Sequence, residues 1–354
     1  MRAVLVTSTA PYSGKSGIAL ALVRELALRG RDVGYFKPFG AMPVTVDGVL
    51  TDEDALYVNR SLPRPGPLAD VCPVVRTQAF VERVLGHEIG DLAPRVAEAY
   101  DACSQGRDVM VIEGPSDPFQ ARSVGLAAVT LSELLDARML LIDRPRGTHL
   151  PDEVLACAAV LGDRLGGVLL NWVHEGQFDF VSRRVVPFLS ASGVTVFGVL
   201  PADAALSSVT VAEIVDALGG TVLCAEDRLG DPVESFMVGA MGQDKALRFF
   251  RRKARKAVIT GGDRADVQLA ALETSTRALI LTGNMPPSSL VLARAEELGV
   301  PMVLVDTDTL TAVEKMEALM GRVRLHDPEK AARIHDMLCA ATDMNAMLGA
   351  FDLI

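Results

Sequence analysis

The sequence predicts an α/β protein: a parallel sheet covered by helices, followed by a second, smaller α/β unit. Three observations carry this. Short, continuously apolar runs alternate with longer helix-period stretches from the N-terminus onward, as buried parallel strands and their crossover helices do. Aromatic residues make up only 5% of a chain that is 49% hydrophobic, so the core is mostly Ala, Val, Leu and Ile. A length of 354 residues exceeds the usual single domain and favours two.

Taken in order, the first strand is expected over Ala3–Thr7, an apolar run that ends in a Ser/Thr/Pro cluster. A helix over Ser16–Leu28 follows, then a strand at Val33–Phe36 and another helix at Thr77–Leu85. Further strands are expected at Val109–Ile112, Met139–Ile142, Gly167–Leu170 and Val194–Val199. After Gly219-Gly220 a second set begins, with strands at Thr221–Leu223, Ala257–Thr260, Ala278–Leu281 and Met302–Val305 and helices between them. A helical stretch from about Asp327 to Leu348 closes the chain. The expected organisation is therefore 1–219, 220–326 and a C-terminal helical tail at 327–354. In open parallel sheets, ligands bind at the carboxyl ends of the strands, so the residues just after each strand carry most of the functional information.

A net charge of −10 argues against nonspecific attraction to nucleic acid or anionic membrane. Five widely spaced cysteines, with no C-x-x-C pair, read as reduced thiols of a cytoplasmic protein and as neither a disulfide framework nor a zinc site. The apolar start is too short for a signal peptide, and Asp163 and Arg164 interrupt Val154–Val173, so no membrane span is expected.

Between the first strand and first helix lies Thr9-Ala10-Pro11-Tyr12-Ser13-Gly14-Lys15-Ser16. It fits a Walker A phosphate loop except at its first position, where Thr9 replaces Gly. Such a loop wraps phosphate in backbone N–H groups at a helix N-terminus; a lysine adds charge and a hydroxyl ligates Mg²⁺. Lys15 and Ser16 supply the last two features. ATP with Mg²⁺ is the expected cofactor pair. The competing reading is a polar turn that happens to contain Gly-Lys-Ser.

Mg²⁺ takes one or two carboxylates beside phosphate oxygens. Glu113 directly follows an expected strand and would project toward such phosphates. Asp52, Glu53 and Asp54 precede helical residues, where capping and dipole stabilisation are the plainer reading. Asp143 also ends a strand, with Arg144 and Arg146 beside it as local ion-pair partners.

Several of these segments together resemble a family. Val4 to Ser16, Val33-Gly34-Tyr35-Phe36-Lys37-Pro38, Ile112-Glu113-Gly114, Gly167 to Asn171 and Gly198-Val199-Leu200-Pro201 resemble dethiobiotin-synthetase-like P-loop NTPase domains. The branch most similar is the N-terminal region of long bacterial phosphate acetyltransferases, in which a DRTGG domain follows; Val258 to Asp266 resembles that domain. The resemblance implies that Lys15 and Lys37 serve the transferred phosphate. It implies that Thr9, Ser13, Gly14, Lys15 and Ser16 hold the nucleotide and that Asn171 reads the adenine. Ser16, Asp54 and Glu113 would be the metal set. Two departures weaken the synthetase substrate site: Phe39-Gly40-Ala41 lacks an expected hydroxyl, and Pro115-Ser116-Asp117 replaces a small, Gly-rich stretch. No acetyltransferase catalytic domain is expected within the chain.

In the second half, Gly262, Asp263 and Arg264 sit between a strand and a helix and are candidates for holding an anion, with capping by Asp263 as the alternative. The basic run Arg248, Arg251, Arg252, Lys253, Arg255 and Lys256 reads first as a solvated helix end. The expected function is a cytoplasmic ATP-binding regulatory or sensor protein, dimeric, answering to a nucleotide and an unidentified small metabolite and hydrolysing ATP slowly if at all. The runner-up is an ATP-dependent ligase of the dethiobiotin synthetase type.

Overall fold

Residues 2–145, 150–320 and 327–354 are described in a computed structural model. They fall into two compact units, Met1–Ala202 with Leu325–Ile354, and Asp203–Arg324. The boundary expected at residue 219 falls inside the second unit, and the expected C-terminal tail packs with the first. Residues 321–326, assigned from sequence to the end of the second domain, and Arg146 lie outside the described residues.

The first unit is built on six strands: β1 (Arg2–Ser8), β2 (Val33–Phe36), β3 (Val109–Glu113), β4 (Arg138–Asp143), β5 (Leu165–Val173) and β6 (Val196–Pro201). Their order is β6-β5-β4-β1-β3-β2, with every neighbouring pair parallel. The continuously apolar character of the central strands has the expected cause: Val4, Leu5, Val6, Val111, Ile112, Leu140 and Leu141 are all buried. Strand β1 lies between β3 and β4, so the chain leaving it emerges beside the carboxyl ends of both. Helix α1 (Lys15–Leu28) follows and buries Ile18, Leu22 and Leu26.

A hairpin of Pro43–Val46 and Val49–Asp52, with αL residues Asp47 and Gly48 at its turn, delivers the chain to helix α2 (Glu53–Ser61). The sequence reading has no hairpin here; its outer face is half exposed and its alternation too short to read. The last helical stretch is two helices, Pro328–Ala341 and Met344–Ala350, parted where Thr342 turns extended and Asp343 caps the second.

The second unit holds a five-stranded sheet of β7 (Thr221–Cys224), β8 (Ser235–Val238), β9 (Lys256–Gly261), β10 (Thr276–Thr282) and β11 (Met302–Leu304), in the order β7-β11-β10-β9-β8. Only β7 runs antiparallel to its neighbour. Edge strand β8 was not expected; Ser235–Val238 is half buried on an outer edge and lacks the continuous apolar run of the inner strands. Lys256 also departs from expectation. Only Arg248 and the cap residue Arg251 stand at a helix C-terminus, and Lys256 opens β9 fully buried, its Nζ donating to Thr274 Oγ1 at 2.8 Å and the Ser275 carbonyl at 3.2 Å. Burial pushes its ammonium down to about 8.

Among the described residues, no helix is long and apolar enough to cross a membrane.

Candidate functional site

Gly14 stands in the left-handed region (φ 86°) at the cap of α1, with no side-chain cap on the first amides. A Cβ there would run into the Asn171 amide, so glycine is required by conformation and by space. The Asn171 Nδ2 donates to the Ser13 carbonyl at 2.9 Å, and Ser13 Oγ donates to the Ala10 carbonyl at 2.8 Å. Thr9, the departure from the Walker pattern, donates its hydroxyl to Asp143 Oδ1 at 2.6 Å while its amide bonds the Ile142 carbonyl. The hydroxyl thus fastens the start of the loop to the end of β4. Arg144 stacks over Trp172, 4.1 Å from the ring centre.

Below the loop lies a cluster of buried charge. Glu113, at the end of β3 and wholly buried, accepts from Ser16 Oγ at 2.8 Å and from the Tyr35 hydroxyl at 2.7 Å. Its Oε1 also faces Lys37 Nζ at 3.1 Å and Lys15 Nζ at 3.5 Å. Burial works against its charge, but Lys37, Lys15, Tyr35 and Ser16 outweigh that and hold its carboxyl at about 2. Lys37, just beyond β2, reaches Asp52 Oδ1 at 2.7 Å and Asp54 Oδ2 at 3.6 Å. Burial disfavours its ammonium, yet Glu113, Asp54 and Asp52 together push Lys37 well above the usual lysine range.

The two aspartates share Lys37, and only Asp52 also caps. Asp52, fully buried, caps α2 by accepting from the Asp54 and Ala55 amides, and its second oxygen accepts from the Ala41 and Met42 amides. Asp54, the second residue of α2, faces Lys37 across 3.6 Å. Capping and cation contact thus coexist on Asp52 itself, while Asp54 makes the longer cation contact alone.

Lys15 and Lys37 are two cations against the three carboxylates Asp52, Asp54 and Glu113. One negative charge is in excess, in a largely buried site. Asp54 carries the strain: burial first, then Glu113 and Asp52, raise its carboxyl above the ordinary value despite Lys37. A hard divalent cation held by Ser16, Asp54 and Glu113 is the species such a donor set fits.

Sequence reasoning missed Tyr35, Asp52 as the central anchor, and the Thr9–Asp143 link. A polar aromatic inside the apolar run Val33–Phe36, two residues before Lys37, was the available signal for Tyr35.

The second candidate, Gly262-Asp263-Arg264, follows β9. The helix behind it, α3 (Ala265–Leu272), has Arg264 at its cap and no side-chain cap, so the alternative of capping by Asp263 is not what the chain does. Arg264 pairs with Asp266 at 3.1 Å and donates to the Met241 carbonyl. Buried Gln268 donates to the Gly261 and Gly262 carbonyls, each at 3.0 Å.

Comparison with known proteins follows the two halves. Residues 213–319 match the DRTGG domain. A phosphate acetyltransferase of Pseudomonas putida is 26% identical over 350 residues, covering 93% of this chain but 49% of that protein. The chain thus spans about half the length of the phosphate acetyltransferases it matches. An ATP-dependent dethiobiotin synthetase of Sulfurovum is 25% identical over 173 residues, 45% of this chain and 77% of that one. Among solved structures, an Archaeoglobus fulgidus nucleotide-binding protein in complex with ADP is 14% identical, with a TM-score of 0.35 over 57% of this chain and 82% of that chain. Residues 2–210, which contain the loop, the six-stranded sheet and the whole charge cluster, match the AAA domain family, and the chain belongs to it.

Proposed function

We propose that the first unit binds ATP with Mg²⁺ and that the protein works as a nucleotide-dependent regulator or sensor, turning ATP over slowly if at all. One observation carries the binding claim: two lysines, a hydroxyl and an excess carboxylate charge converge below a glycine-capped helix N-terminus at the carboxyl end of a parallel sheet. In this reading the amides of the loop and the first turn of α1 cradle phosphate. Lys15 leaves Glu113, 3.5 Å away, for the phosphate, while Lys37 is held near it by three carboxylates. Mg²⁺ would neutralise phosphate charge and draw Ser16, Asp54 and Glu113 to itself. In the same reading Asn171, whose Nδ2 bonds the Ser13 carbonyl beside Gly14, would contact the base.

The regulatory reading is favoured over the ligase by what surrounds Lys37. The Ala41 and Met42 amides, where an acceptor would need donors, are both committed to Asp52. Asp117 bonds the Phe119 and Gln120 amides, closing the segment after Gly114 into a tight turn. The test supplies ATP, Mg²⁺, bicarbonate and diaminopelargonic acid to the purified protein. No dethiobiotin, and no stimulation of ATP turnover by the diamine, is the expected result. Robust product would promote the ligase and retire the regulator.

A further inference from the structure

A second constellation lies further along α1, in its third turn from the phosphate loop. Glu25, in the third turn of α1, faces His335 and Cys339, which sit four residues apart on one face of α4 (Pro328–Ala341). His335 Nε2 lies 2.8 Å from Glu25 Oε2; Cys339 Sγ lies 3.6 Å from the same oxygen and 3.5 Å from the same nitrogen. All three donors therefore converge on one point. We propose that Glu25, His335 and Cys339 form a binding site for a divalent transition metal of zinc's class, with the fourth position left to water or an incoming ligand.

The spacing supports this directly. A tetrahedral ion with bonds of about 2.0–2.3 Å sets its nitrogen and sulfur donors about 3.5 Å apart, and its oxygen and sulfur donors about 3.6 Å apart. Those are the separations already present for the two sulfur pairs. Only the Glu25–His335 pair, now a direct hydrogen bond, has to open, by about 0.6 Å, to the nitrogen–oxygen spacing such bonds give. The mixed oxygen, nitrogen and sulfur set suits a borderline ion and poorly suits Mg²⁺ or Ca²⁺.

Outer groups orient the donors as metal sites require. Arg29 Nε holds the other oxygen of Glu25 at 2.7 Å, turning Oε2 inward. His335 Nδ1 faces Asp336 Oδ1 at 3.3 Å, leaving Nε2 for the ion. Side-chain exposures of 12% for Glu25 and 11% for His335 leave the cluster walled yet reachable.

The competing use of such residues is a nucleophilic thiol activated by histidine. The geometry disfavours it, because Glu25 occupies the ring nitrogen that would have to serve the thiol. Burial and the neighbouring Glu25 carboxylate also push the Cys339 thiol up, away from the thiolate. A bound cation reverses that repulsion: on binding, the thiol proton leaves to solvent and the sulfur–metal bond forms. The ion would then pin α4 to α1, the helix that begins at Lys15.

Co²⁺ titration of the full, chelator-stripped chain without nucleotide tests the proposal. Expected is one equivalent bound with an intense near-ultraviolet thiolate-to-cobalt band and the visible bands of a tetrahedral ion, both displaced by Zn²⁺. Cys339→Ser, shown folded by circular dichroism, should lose the near-ultraviolet band, and His335→Gln should weaken binding. Arg29→Gln should keep the band but lower affinity about 10–100-fold. Co²⁺ at the loop would be held by oxygen alone and give no thiolate band, so the two sites are told apart. Absence of the band, or its persistence in Cys339→Ser, would overturn the assignment.

Discussion

At the scale of single residues, three carboxylates and two lysines share a largely buried site. Glu113 is the member most tightly held. Its pKa of about 2, against an unfolded value of 4.5, means its contribution to stability is full above pH 4.5 and is lost as pH falls toward 2. Asp54 has the opposite sign: its carboxyl is raised, so ionising it costs stability as pH climbs from 3.8 through its folded value. Asp54→Asn should therefore raise the Tm of the metal-free protein at neutral pH. The same change should weaken the Mg²⁺ dependence of nucleotide binding, and a thermal melt with and without MgATP reads both effects. Tyr35→Phe should do the reverse to Glu113. It leaves a buried carboxylate oxygen without its 2.7 Å donor, a loss of about 1.5–3 kcal/mol measurable by urea unfolding.

Among the structural elements, the strand-to-helix turn is the decisive one. Gly14 combines φ 86° with contact against Asn171, so Gly14→Ala should distort the loop and cut affinity for a fluorescent ATP analogue at least tenfold; unchanged affinity would mean that the turn tolerates a side chain. This element was legible in the sequence because it obeys local rules: an apolar run, a Gly-Lys-Ser and a helical period. All six strands of the first sheet were legible for the same reason, within a few residues at each end. The hairpin at 43–52 was not, since its residues are ordered by Asp52 reaching back to the Ala41 and Met42 amides, a tertiary fact. Buried Lys256 was illegible too. A lysine closing a basic run reads as solvated until the partners Thr274 and Ser275, far along the chain, are known.

The protein as a whole joins a unit of the AAA domain family to a DRTGG domain, and its proposed role is to make one answer to the other. In the second unit the sequence names candidate ligand residues but no ligand, and Arg264 there bonds Asp266 and the Met241 carbonyl. Coupling predicts that MgATP changes hydrogen-exchange protection around Gly261–Asp266; identical protection with and without nucleotide would count against a sensor. Everything rests first on the loop. Lys15 contributes one long contact of 3.5 Å to Glu113, which keeps Lys37, Tyr35 and Ser16 as partners, so its removal should leave the fold standing. Calorimetric titration of MgATP into Lys15→Ala is the most direct test. A folded protein with affinity reduced at least tenfold is the expected result; a folded Lys15→Ala with unchanged ATP affinity would contradict nucleotide binding at the loop.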